Sequence, residues 1–169
     1  MRDIMILLVG FTLFSSPIFA SNHIYRQVST ITQDTSMSMP KVFILGDYEK
    51  QYDQLSTEYG TSLLAANNDD TGIAGKQWSS MIKEMEAHAD MLEYDINGVK
   101  MWLHVFWDQE GKINHIGFYL KPNSRNVDKK ELRSFLMDFV NNYYIPSSHE
   151  SKFSHYSGAA FPTFNLKRN

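Results

Sequence analysis

The chain has 169 residues, of which 16 are basic and 19 acidic, giving a formal net charge of −3, and it contains no cysteine. Its basic residues are scattered: Lys129, Lys130 and Arg133 sit among Asp128 and Glu131. The sequence therefore lacks the basic stripe with which nucleic-acid binders meet phosphate. Without cysteine there is no disulfide, thiolate nucleophile or zinc–thiolate centre, and the core must hold by packing alone.

The first element, "MRDIMILLVGFTLFSSPIFA", has a basic start at Arg2, an apolar run of about eleven residues and a break at Pro17. It reads as a secretory signal over residues 1–20, cleaved after Ala20. The apolar run falls short of the ~20 residues that a spanning helix needs. A periplasmic or secreted location is the expectation. With no cysteine to carry lipid, no stable membrane anchor is expected after cleavage. Residues 21–40 are rich in Ser and Thr and read as a flexible leader, within which "VSTITQ" has the composition of a short strand. Residues 41–169 are then long enough for one domain with its own core.

That domain opens on "KVFIL", a buried-strand pattern ended by Gly46 and Asp47. Tyr48, Tyr52, Leu55 and Tyr59 recur at three and four residues, a helical stripe stopped at Gly60. "AANNDDTGIAG" (65–75) is dense in turn residues and reads as a loop. Its adjacent Asp69 and Asp70 lack the alternation and the distant closing Glu of a calcium loop. Trp78, Met81, Ile82, Met85 and Ala89 then define one face of an amphipathic helix.

Asn97-Gly98 turns the chain into "KMWLHVFWDQEGKINHIGFYL", a hairpin pattern closed through Gly111. A three-residue loop over 109–111 sets Asp108 against Lys112, Trp107 against Ile113, His104 against Ile116 and Trp102 against Phe118. In that register Met101, Leu103, Val105, Trp107 and Ile113 share one face. Trp102, His104, Phe106, Ile116 and Phe118 share the other, and His104 and His115 diverge unless a bulge intervenes. After Pro122, Asp128 and Glu131 form a capping box, Val127 and Leu132 a hydrophobic staple, and Leu132, Phe135, Leu136, Phe139 and Tyr143 a buried stripe. The final "KFSHYSGAAFPTFNL" reads as a strand that joins the hairpin. The expected fold is α+β: about three antiparallel strands in the order α-β-β-α-β, helices on one face, and an N-terminal strand–helix extension.

From about residue 87 to 166 this order resembles the C-terminal domain of TonB-type periplasmic energy transducers. The similar features are the glycine-led strand pair "NGVKMWLHVFWDQEGKI", the polar connector "KPNSRNVD", the helix "ELRSFLMDFVNNY", the aromatic–proline step "YIP" and the closing "FPTFNL". The chain departs from that family in having no Tyr-Pro pair near residues 85–89, no retained anchor and no proline-rich spanning segment. The resemblance implies a periplasmic module that recognises a protein by strand addition at a sheet edge, without the transducer's mechanical role.

No serine-hydrolase elbow, phosphate loop or His-Glu-x-x-His motif is present, so no enzymatic activity and no cofactor are expected. The face carrying Trp102, His104, Phe106 and Phe118, apolar on a hairpin whose reverse is also apolar, is the expected contact site for a protein or peptide. Two alternatives remain. One is a metal or small-ligand site built from His104, His149 and His155 with Glu150. The other is a homodimer that buries the aromatic face.

Overall fold

The computed structural model describes residues 38–145 and 149–163. Residues 1–37, which hold the expected signal and most of the expected leader with its "VSTITQ" stretch, lie outside the described residues, as do Pro146 and the end of "FPTFNL". The elements run β1 (Val42–Ile44), α1 (Glu49–Glu58), β2 (Thr61–Ser62), α2 (Leu63–Ala66), α3 (Thr71–Met91), β3 (Lys100–Trp107), β4 (Ile113–Leu120), α4 (Lys129–Asn142) and β5 (Phe153–Ala160). The fold is α+β, and its sheet is larger and less uniform than the three antiparallel strands expected. Five strands lie in the order β1-β4-β3-β5-β2. The central β4-β3-β5 unit is antiparallel, as anticipated. β1 and β2 add parallel to its outer members.

Local chemistry explains where the two long helices begin. The Asp128 carboxylate accepts from the Lys130 and Glu131 amides at 2.7 and 3.1 Å. It thereby satisfies orphan donors at the start of α4. Those bonds hold the Asp128 carboxyl below its ordinary pKa. Asp70 does the same for α3, accepting from Gly72 and Ile73 at 2.8 and 2.9 Å. Residues 71–75, expected as loop, are therefore the first turn of α3, and residues 65 and 66 end α2. The turn residues misled because Gly72 and Gly75 lower helix propensity, while the Asp70 cap and the burial of Ala74 with the rest of the α3 stripe together outweigh them.

The hairpin corrects the expected register. Asp108 bonds Lys112 through the backbone and Trp107 faces Ile113, as expected, with Gly111 at φ +87°. A bulge follows at once: Phe106 faces His115, so Asn114 is an extra residue in β4. Its side chain donates to the Tyr59 hydroxyl at 2.8 Å. Beyond the bulge, Val105 faces Ile116, His104 faces Gly117, Leu103 faces Phe118 and Trp102 faces Tyr119. One inserted residue moves every later side chain of β4 to the opposite face. Ile116 and Phe118 thus join Met101, Leu103 and Val105 in the main core, with α3 residues Met81, Ile82, Met85 and Ala89 and α4 residues Leu132, Phe135, Leu136 and Phe139. His115 joins His104 on the other face.

That second face is not bare, which corrects the expectation of helices on one side only. Phe43, Leu55, Tyr59 and Phe106 form a separate buried cluster with Met39, Leu45, Tyr48 and Tyr52 around it, so α1 covers part of it. The rings meet edge to face, Tyr59 and Phe106 at 5.5 Å and Tyr52 and Phe106 at 6.4 Å. That arrangement sets the positive edge of one ring against the negative face of the next. Gly117 makes room for this layer. A Cβ there would lie 2.6 Å from Leu45 Cδ2 and 2.8 Å from the Phe43 ring.

Candidate binding site

The second face has two ends. Near the hairpin turn, α1 seals Phe106. At the far end no helix covers the sheet among the described residues, and Trp102, Tyr119 and Tyr156 are 39%, 51% and 51% exposed. Trp102 lies between Tyr119 of β4 and Gly158 of β5, while Tyr156 pairs with His104. The Trp102 and Tyr156 rings stack at 5.6 Å and 10°. They are diagonal neighbours across the ladder, within the reach of long aromatic side chains. Lys121 Nζ stands 4.0 Å from the Trp102 ring centre. The Trp102 ring is thus flanked by a phenol and an ammonium.

His104 marks the border between sealed and open ends. Its Nδ1 lies 2.8 Å from the Tyr52 hydroxyl, and its ring meets Tyr156 edge-on. Burial, helped by nearby His155, lowers the His104 pKa to about 4, and burial raises that of Tyr52. Both groups are neutral at ordinary pH, which suits a hydrogen bond pinning α1 to β3.

A pH dependence follows. Between about 4 and the ordinary 6.5, an unfolded chain takes up a proton on His104 that the folded chain refuses. Stability should therefore be undiminished above about pH 6.5 and fall as pH drops towards 4, by ~2 kcal/mol after discounting for partial solvent exposure. His155 is also lowered by burial and acts in the same direction. Urea midpoints near neutrality and near pH 4.5 should show His104→Gln with a smaller loss than the parent. An equal loss would mean that His104 is solvated.

Of the four residues expected to make contact, the structure exposes Trp102 and half-buries His104. It buries Phe106 at 0% and Phe118 at 1% exposure, in two different cores. Phe118 was placed on the contact face by the register that the bulge overturns. Phe106 is on that face but under α1. The residues that complete the exposed strip are Tyr119, Lys121, Tyr156 and Gly158. Tyr119 and Lys121 come to this face through the register of β4 against β3 beyond the bulge, and Tyr156 and Gly158 through that of β5 against β3.

The histidines considered as ligands do not converge. His104 pairs with Tyr156 and His155 with Val105, so their side chains leave opposite faces of the sheet. His155 packs on Trp78 at 4.7 Å, and His149 Nδ1 sits 3.0 Å from the Ala66 carbonyl. Among the described residues no group of three or more His, Asp or Glu is placed to hold a metal.

The remaining feature is the sheet's edge. β3 runs along the whole of β5, from Phe153 to Ala160, but β2 covers only Phe153 and Ser154 on the outer side. From His155 to Ala160 no strand lies there among the described residues. Antiparallel pairs alternate between bonded and non-bonded positions. Two bonds fix the phase: Phe161 N donates to the Val99 carbonyl, and Lys121 N to the Lys100 carbonyl. Odd residues of β5 therefore bond to β3, and Tyr156, Gly158 and Ala160 turn their N–H and C=O groups outward. Exposed edges are usually blunted by charge, proline or brevity. β1, the opposite edge, is three residues long. β5 is longer, and "FSHYSGAA" carries no Lys, Arg, Asp, Glu or Pro. Comparison with protein-family models, with curated proteins and with solved structures finds no match for the chain.

Proposed function

We propose that this chain is a non-enzymatic binding module of the bacterial cell envelope, exported by its N-terminal segment, that takes an extended segment of a protein or peptide as an added strand along the outer side of β5. The observation that carries this reading is the row of outward backbone groups at Tyr156, Gly158 and Ala160 on an edge strand whose own residues carry no charge. Such a row gives affinity through main-chain hydrogen bonds and leaves alternate side chains for selectivity. The incoming side chains would face Trp102 and Tyr156 on one side and the α3 flank, where Trp78 packs on His155, on the other. Strand addition is also what the resemblance to TonB-type C-terminal domains implies, and it needs neither an anchor nor a proline-rich spacer.

The test is Gly158→Pro. Proline removes the outward N–H of this position without taking a bond from the β3 ladder, its Cβ displaces only the flexible end of Lys121, and edge strands accept it there. Peptides selected from a random library against the full chain should bind it and fail to bind the variant, whose stability stays within ~1 kcal/mol of the parent. Undiminished binding by a folded Gly158→Pro variant would sink the proposal.

A further inference from the structure

Strand addition leaves open what the incoming segment carries, and the Lys121 ammonium bears on this. Lys121 follows β4, yet its side chain lies back across β3, onto Trp102, and reaches β5. A Cβ built on Gly158 would lie 2.5 Å from Lys121 Nζ and 3.5 Å from Trp102 Cζ3. Glycine at this position is the notch that lets the cation settle at the open edge.

Among the described residues that cation has no anion. The ion pairs there are His88–Asp138, Lys112–Glu110, Arg125–Asp95 and Lys152–Glu58. Lys121 is partly buried and held over an indole ring, so some of its water is already gone. A residue directly across the ladder from Gly158 projects its side chain on the same face of the sheet, beside this ammonium.

Building on the strand-addition reading, we infer that the received strand carries a carboxylate side chain, Asp or Glu, opposite Gly158, where it pairs with Lys121 beside Trp102 and Tyr156. Charge also decides against the other natural occupant, a second copy of this chain. Two β5 edges paired about a twofold axis at Gly158 would bring two Lys121 ammoniums to the same spot, and like charges directly opposite destabilise a sheet.

The experiment titrates the isotope-labelled full chain with the capped peptide Thr-Val-Thr-Val-Glu-Val-Thr-Val-Thr and its central Gln and Lys analogues, following the amide signals of Tyr156, Gly158 and Ala160. The Glu peptide should bind about three- to fivefold tighter than the Gln peptide, as suits a partly exposed ion pair, and added salt should narrow that gap. Lys121→Gln should abolish the preference, so that the Glu and Gln peptides bind the variant alike. Lys121→Glu should transfer the preference to the Lys peptide. Equal binding of Glu and Gln peptides at these amides would overturn the carboxylate inference and leave strand addition standing. If no peptide moves these signals, strand addition itself fails and the inference with it. Signals that shift with protein concentration alone would make a second copy the occupant and overturn the inference.

Discussion

Phe106→Ala should destabilise the chain by about 3 to 5 kcal/mol, while Trp102→Ala should cost ~1 kcal/mol or less. The two aromatics lie four residues apart on the same strand and face, so propensity and pattern treat them alike. Their surroundings do not. Phe106 is 0% exposed between Tyr52 and Tyr59, and its removal opens a cavity beneath α1 that the edge-to-face rings cannot close without moving the helix. Trp102 is 39% exposed and touches a phenol and a flexible lysine, both of which can resettle in water. Urea unfolding read by circular dichroism gives both values, with an unchanged m-value showing that the same surface is exposed. Comparable losses for the two variants would mean that the second face is covered, or bare, along its whole length. A double serine replacement at Trp102 and Phe106, the natural probe from sequence alone, would therefore report on folding before it reported on binding.

The second large effect belongs to Gly111. Gly111→Ala should cost about 3 kcal/mol, combining left-handed backbone strain of ~1 kcal/mol with ~2 kcal/mol of overpacking. Its φ is +87°, and an added Cβ would run into the backbone carbonyl oxygen of Ile145. That carbonyl cannot step aside, because the Ile145 amide donates to the Gly111 oxygen at 2.8 Å and Lys112 bridges to Tyr144. The hairpin turn is thus clamped by the chain that leaves α4. Gly75→Ala supplies the contrast. Gly75 lies inside α3 with nothing within 4 Å of a built Cβ. The same substitution there should stabilise by ~0.5 to 1 kcal/mol. Opposite signs in thermal melts of the two variants would separate conformational freedom from steric need. A harmless Gly111→Ala would mean that the turn is not packed against residue 145.

What the sequence disclosed follows the range of the forces involved. Short-range signals survived: the amphipathic stripes of α3 and α4, the Asp128 cap and the first pairs of the hairpin are each decided within a few residues. The bulge at Asn114 was illegible because the partner that engages its extra residue lies 55 residues away, in the Tyr59 hydroxyl that receives the Asn114 amide. Its consequence was large, since it sent Phe118 indoors and brought His104 and His115 to one face. The stripe of Tyr48, Tyr52, Leu55 and Tyr59 announced α1 but not its destination. The parallel seats of β1 and β2 depend on contacts that no periodicity encodes. At the candidate site, Trp102 and His104 could be picked out by composition. Tyr156, Gly158 and Lys121 gain meaning only once β5 is laid beside β3 and the ammonium is seen to cross Trp102.

Residue-resolved hydrogen–deuterium exchange along β5, in the chain alone and at low concentration, probes the open edge most directly. The outward amides of Tyr156, Gly158 and Ala160 should exchange rapidly, while those of His155, Ser157 and Ala159, bonded to β3, should be strongly protected, giving a two-residue alternation. Uniform protection of all six amides in the isolated chain would contradict the account, because the edge would already be occupied.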